Sequence, residues 1–182
     1  TNFEVVDCQV KDEEIVWRIQ HKADAIYICK RCGAHNTSCH DTKWITLYDI
    51  PFGKKTCKWL VKRARILCAC SMYVTIEKLS FRSEHHFLTQ RFVNYIEQVL
   101  CSKMFTVADV ARLFDLDYGT VYKIDHVVLL RLIQELKIPD PINIAVDEKS
   151  FKKGHNYVTI VTDCDLKKVI WGKHLLRELM IL

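Results

Sequence analysis

Cysteine is the residue that most restricts what this chain can become. Nine of its 182 residues are cysteine, an odd number. Thr1-Asn2-Phe3-Glu4 has no basic-then-apolar leader, so no signal peptide and no oxidised scaffold are expected. Metal ligation is the natural use for several of the thiols. Cys29-Lys30-Arg31-Cys32-Gly33 has knuckle spacing: two thiolates can point at one ion, and the glycine permits the tight turn behind them. The same spacing occurs in thioredoxin-like redox sites, but those need a βαβ setting that the flanks lack. The best second pair is Cys68-Ala69-Cys70, tighter than the two or more intervening residues usual in zinc knuckles. Cys39, His40 and Cys57 stand in reserve. The competing reading is a set of scattered buried cysteines. Cys8, Cys101 and Cys164 stand alone in apolar surroundings and read as small buried hydrophobes. Structural zinc is the cofactor expected.

Charge narrows the partner. Hydrophobic residues make up 49% of the chain, which excludes a disordered polymer. No uncharged apolar run approaches ~18 residues, so no membrane span is expected. The net charge of +5 is unevenly spread. Residues 50–76 hold six basic residues and no acid: Lys54, Lys55, Lys58, Lys62, Arg63 and Arg65. A local basic patch is the footprint of phosphate binding and points to nucleic acid, against the plainer reading of a solvated strand face.

Hydrophobic periodicity divides the chain into three parts and predicts an α+β fold. Residues 1–80 read as β-rich. Phe3, Val5 and Val6, then Ile15, Trp17 and Ile19, partly alternate with polar residues. Residues 44–48 form an apolar run, and 49–54 read as a turn. Residues 59–67 then read as a strand with its basic residues outward. Residues 84–138 read as helical. Leu88, Phe92, Ile96 and Val99 recur at helical spacing, and Thr106 caps a second helix with Asp109 in its first turn. A third begins near Asp117 and carries Val121, Ile124, Val128 and Leu132 on one face, with Pro139 and Pro141 stopping it. Residues 142–182 return to strands at 142–146, 157–163 and 168–171, the last two joined tightly through Asp165-Leu166-Lys167.

Within the helical part, one spacing pattern predicts a helix-turn-helix. With Ala111 as the small residue where two helices cross, apolar positions are needed at Val110, Phe114, Leu116, Val121 and Ile124, and all are filled. Asp115 stands where glycine is common, and aspartate tolerates left-handed geometry better than most residues. Asp117 caps the second helix. Its outward first turns would offer Tyr118, Thr120, Tyr122 and Lys123 to a major groove. The alternative is an ordinary helical hairpin. Further on, Asp147 ends an apolar strand ahead of an antiparallel hairpin, as the metal-holding acid does where an RNase H-like nuclease domain begins.

The order of these parts resembles the bacterial insertion-sequence transposases of the ISL-three family, which carry a DDE catalytic domain. Cys29-Lys30-Arg31-Cys32-Gly33 is similar to the family's zinc knuckle, and His40 with Asp49-Ile50-Pro51 and Gly53 to its spacer. The run Lys62-Arg63-Ala64-Arg65-Ile66-Leu67-Cys68 is similar to its basic strand, and Val110-Ala111 through Val121-Tyr122 to its helix-turn-helix. The most specific likeness is Ile144-Ala145-Val146-Asp147-Glu148, followed by Lys153-Gly154-His155-Asn156-Tyr157-Val158-Thr159 and Asp163.

The resemblance implies zinc held by Cys29, Cys32, Cys68 and Cys70, with Asp147 as first acid of a triad that holds Mg²⁺ in the complete domain. It implies binding to the terminal repeats of a mobile element in the bacterial cytoplasm, at the nucleoid, with a homo-oligomer among the expected partners. Cys68-x-Cys70 is shorter than the family's second knuckle. Its second Asp and final Glu lie beyond the hairpin. The expectation is therefore the front of a transposase, starting inside a longer frame and truncated or frame-shifted, that binds DNA and does not transpose it unaided. The alternative is a zinc-finger and helix-turn-helix regulator without catalysis. Asp163 is a weaker metal candidate, and His155 reads as a hydrogen-bonded turn residue.

Overall fold

The computed structural model describes residues 2–36, 38–84, 86–135, 140–152, 156–174 and 177–179. The fold is mixed α and β, strand-rich, with three helices among the described residues. It divides into two compact units, Thr1–Ile124 and Asp125–Leu182.

The first unit opens with an antiparallel hairpin of β1 (Phe3–Val10) and β2 (Glu14–His21). A two-residue ribbon, β3 (Tyr27–Ile28) with β4 (His35–Asn36), leads into β5 (Asp41–Phe52), β6 (Lys55–Ile66) and the short β7 (Thr75–Ile76). The sheet runs β1-β2-β6-β5, with β7 pairing the end of β6. The β2–β6 pairing is parallel, so the long strand β6 lies between two neighbours. Ile19, Leu47, Val61 and Leu79 are buried on the sheet, with Trp17, Trp59 and Phe81 packed around them. Val5 and Val6 depart from the expected half-buried pattern and are exposed. The register slips between Val5 and Asp7, which breaks the alternation there.

The expected turn at 49–54 contracts to Gly53-Lys54. The strand continues through Pro51 because the ladder skips Ile50 and Pro51, so the missing N–H costs nothing. Gly53 sits at φ +61°, where a side chain would be strained.

Three helices follow: α1 (Gln90–Cys101), α2 (Val107–Phe114) and α3 (Tyr118–Glu135). Leu88, expected in the first helix, lies before it and pairs in extended form with Tyr48. Thr89 is the true cap: its hydroxyl accepts from the Phe92 N–H. Thr106 and Asp109 form a reciprocal capping box at α2. Leu88, Phe92, Ile96, Val110, Ala111, Val121 and Ile124 form one buried cluster. Further along α3, Val128 is buried and Leu132 is exposed, against the single buried face expected. Pro139 lies outside the described residues.

The second unit contains an antiparallel meander, β8 (Ile144–Lys152), β9 (Asn156–Asp163), β10 (Lys168–His174) and β11 (Arg177–Leu179), in the order β11-β10-β9-β8. The first strand starts at Ile144, two residues later than expected.

A buried carboxylate joins the sheet to α1. Asp49 of β5 accepts from the Thr89 hydroxyl at 2.6 Å and from the Arg91 Nε at 2.8 Å, with a second ion-pair contact to the Arg91 guanidinium. Arg91 in turn stacks over the Trp59 ring. Burial alone would raise the Asp49 pKa, but Arg91, Thr89 and the Ile50 N–H outweigh it and hold it below the usual carboxylate value. A depressed folded pKa contributes stability above ~4 that is lost as pH falls through the lower native value. Asp49→Asn should therefore cost about 1–3 kcal/mol at neutral pH and little in acid, measured by urea unfolding at both.

Candidate metal centre and nucleic-acid interface

The two cysteine pairs meet where the β3–β4 ribbon packs against the end of β6. The Gly33 N–H donates to the Cys29 carbonyl at 2.9 Å, closing the knuckle, and Gly33 takes φ +75°. On the other side, the Ser71 N–H donates to the Cys68 carbonyl at 3.0 Å, so a tight turn follows the first thiol and swings Cys70 back. Cys29 Sγ then lies 3.8 Å from Cys70 Sγ, and Cys32 Sγ lies 3.5 Å from Cys68 Sγ. All four sulfurs lie within 4.8 Å of one another. A tetrahedral zinc with Zn–S of ~2.3 Å requires sulfur–sulfur edges of ~3.8 Å, so the residues fit the ion. The short Cys68-x-Cys70 spacing is accommodated because each of its thiols faces a different member of the first pair.

Local dipoles prepare part of the set. Burial pushes the Cys29 thiol up, but the Cys32 and Arg31 N–H groups and the Thr75 hydroxyl outweigh it and bring it down to about 6. The Cys70 N–H holds Cys68 below the ordinary thiol value. Cys70 is pushed up to about 12 by burial and by the sulfurs of Cys32, Cys68 and Cys29. Four thiolates cannot share this volume without a cation; a divalent ion removes the conflict. The ion would supply a cross-link between two chain segments.

The reserve ligands go elsewhere. Cys39 donates to the Asp41 carbonyl at 3.1 Å, and the His40 ring lies 3.5 Å from the Asp41 carboxylate. Cys57 is buried near the other end of β6, roughly 30 Å along the strand. Cys8, Cys101 and Cys164 are exposed, which overturns their reading as buried hydrophobes. An apolar sequence neighbourhood did not bury them, because Cys8 lies on the edge strand β1 and Cys101 on the last residue of α1.

The basic segment is less open than its composition suggests. Period-two alternation divides it between the two faces of β6. Arg63 points inward: it is 8% exposed and its guanidinium donates to the Glu77 carbonyl at 2.7 Å. This corrects the all-outward strand. Arg65 is held in a two-pronged pair with Asp41. Lys58 donates to Glu14 at 2.6 Å, and Lys55 to the Lys11 carbonyl at 2.7 Å. Lys54 is exposed at the hairpin turn and Lys62 is half-buried.

In the helical part α2 and α3 are joined by a tight turn. Asp115 ends α2 in the left-handed region at φ 51°, as expected of its position, and the Leu116 N–H donates to the Ala111 carbonyl at 2.9 Å. The Asp117 carboxylate accepts from the Thr120 N–H at 3.0 Å, capping α3. Tyr118 and Tyr122 are exposed and stacked at 6.2 Å, a pairing that their i, i+4 spacing could have revealed. Lys123 is exposed and Thr120 half-buried on the same first turns.

Asp147 is exposed on β8, opposite Ile160. Asp163 pairs with Ile144 and Glu148 with Thr159, so both lie on the opposite sheet face from Asp147. Asp163 is also buried and accepts from the N–H groups of Asp165 and Leu166 at 2.8 and 2.9 Å, as a turn residue does. Asp165 accepts from the Asn143 amide. The described residues therefore bring no second carboxylate to Asp147 and do not fit a two-magnesium site by themselves. His155 lies outside the described residues. No described helix is long and apolar enough to cross a membrane.

Several partners had no sequence signal: the Asp49–Thr89–Arg91 junction, the Thr75 hydroxyl 3.6 Å from Cys29 Sγ, and the buried His21–Glu77 pair at 2.8 Å. Each depends on residues that only the sheet register brings together.

The chain is 29% identical over 146 residues to the transposase for insertion sequence element IS1001 of Bordetella parapertussis. The match covers 80% of this chain and 36% of that protein, so the chain spans about a third of the curated relative's length. No family model and no solved structure matches.

The purified chain should hold one zinc per molecule. Cys70→Ser should abolish tight binding, and Cys39→Ser should leave the stoichiometry at one, measured by metal analysis after gel filtration. Acidification should release the ion as protons compete for the thiolates.

Proposed function

We propose that this chain is the DNA-binding front of an insertion-sequence transposase that recognises the terminal repeats of its own element. The likeness to the IS1001 transposase over 146 residues carries this reading. The capped helix-turn-helix with an exposed Tyr118, Tyr122 and Lys123 supports it, as does a four-cysteine cluster able to hold zinc. The order of parts favours three modules, a zinc-binding one at 1–80, a helix-turn-helix at 84–138 and the start of an RNase H-like domain at 142–182. The ISL-three family and DDE chemistry are the finer form of the same proposal, acting in the bacterial cytoplasm and as a homo-oligomer.

In this reading α3 enters the major groove, where Tyr118, Thr120, Tyr122 and Lys123 meet bases and phosphates. Of the basic segment, Lys54 and Lys62 are best placed for phosphates. Lys55, Lys58 and Arg65 would contribute by exchanging their present partners, and Arg63 by holding the strand. Zinc keeps the N-terminal module rigid. Asp147 is the first acid of the catalytic set, its companions lying outside the described residues; they would complete the site for Mg²⁺.

The isolation of Asp147 favours one second reading, a DNA-binding regulator without catalysis. Two measurements separate and test these. Affinity for duplexes carrying the element's ends should fall linearly with salt on logarithmic axes, and Lys123→Ala should reduce that slope by about 1. Removing zinc should weaken binding; unchanged affinity would drop the zinc module from the account. In the full-length protein, Asp147→Ala should abolish strand cleavage and leave DNA binding intact. Under the regulator reading no cleavage occurs with either residue.

A further inference from the structure

The β5–β6 hairpin tip has a composition that neither the sheet nor the metal cluster uses. Its two-residue turn, Gly53-Lys54, holds Phe52 and Lys55 opposite each other across the ladder. Phe52 is 75% exposed, a large apolar side chain held out two residues before the exposed Lys54. No acidic residue occurs between positions 50 and 76. The base of the same hairpin forms one wall of a cleft of about 510 Å³. Pro51, Thr56 and Lys58 line it on the hairpin side, and Asp117, Thr120 and Lys123 at the start of α3 on the other. Three aspartates line it: Asp49 is engaged by Thr89 and Arg91, Asp117 by the α3 N-terminus, and Asp115 is exposed at its edge, so the cations Lys58 and Lys123 set the path of a phosphate. The Asp49 junction fixes the hairpin relative to α1, which packs in the same core as α2 and the start of α3.

We propose that this hairpin is a second DNA-contacting element that flanks the recognition helix, and that Phe52 is a wedge stacking on an unpaired or unstacked base beside the groove that α3 occupies. The proposal rests on the DNA-binding reading above and deepens it: it names the form of DNA preferred. The sugar-phosphate backbone would pass through the cleft between Lys58 and Lys123, with Lys54 on the phosphate next to the wedge. An apolar side chain inserted at a base step must unstack it, and that is least costly where the base is already unpaired. Such a wedge therefore favours a distorted duplex over an intact one, independently of sequence.

The test uses the zinc-loaded chain and two fluorescent duplexes that share one strand, one of them with a central base left unpaired by an abasic position opposite. The wild type should bind the distorted duplex more tightly. Phe52→Ala should weaken that binding about tenfold, change the intact duplex little, and so remove the preference. Phe52→Trp should keep the preference. Lys54→Ala should weaken both duplexes alike and lower the salt slope by about 1. If Phe52→Ala leaves the preference unchanged, or if the wild type shows none, the wedge is wrong and DNA binding still stands. If the wild type binds neither duplex in a salt-dependent way, both the wedge and the DNA-binding reading fall.

Discussion

Four sulfur atoms packed within 4.8 Å of one another are the constraint on which the N-terminal fold depends. Their own cluster contains little else that is buried: Ala64 and Ile66, with Tyr27 at its edge. So small an apolar core cannot hold two irregular segments together by burial alone. The stretches 29–34 and 68–74 have few ladder hydrogen bonds of their own. A cation bound by both would convert two loops into one rigid corner at the end of β6. The opposed shifts of Cys29 and Cys70 are the electrostatic sign of the same requirement.

From that corner, strand β6 carries order across the molecule. It pairs with β2, β5 and β7 along its length, and its partner β5 delivers Asp49 to the helical core. A carboxylate with 2% exposure is tolerated there only because Thr89 and Arg91 satisfy it. Cysteine corner, central strand and buried carboxylate thus follow one another through the first unit to the core that α1 shares with α2 and the start of α3. The cleft between hairpin and helix is a product of this succession.

The second unit follows a different logic. Its strands form a simple meander, and Ile144 and Val146 of β8 remain exposed. Asp147 shares this strand, on the other face. A catalytic role for it rests on acids brought from elsewhere, since its neighbours in sequence point away or are committed to a turn.

Much was legible in residue order because it depends on local chemistry. The knuckle spacing of Cys29 and Cys32, the capping box of Thr106 and Asp109, the left-handed Asp115 and the cap at Asp117 all act within four or five residues. Spacing therefore reports them directly. The strand-rich character and the three helices follow from hydrophobic period. What the order of residues left open was everything that depends on register. Whether Arg63 faces inward, whether Leu88 joins a helix, and whether Cys8, Cys101 and Cys164 are covered depend on which chain lies alongside. So do the carboxylates at Asp49 and Asp147: both lie within long strands, yet one is clamped by a distant helix and the other has no second carboxylate beside it among the described residues. Local interactions are encoded in spacing. The tertiary structure decided which charged and sulfur-bearing groups remain free to act, because that depends on neighbours far away in the chain.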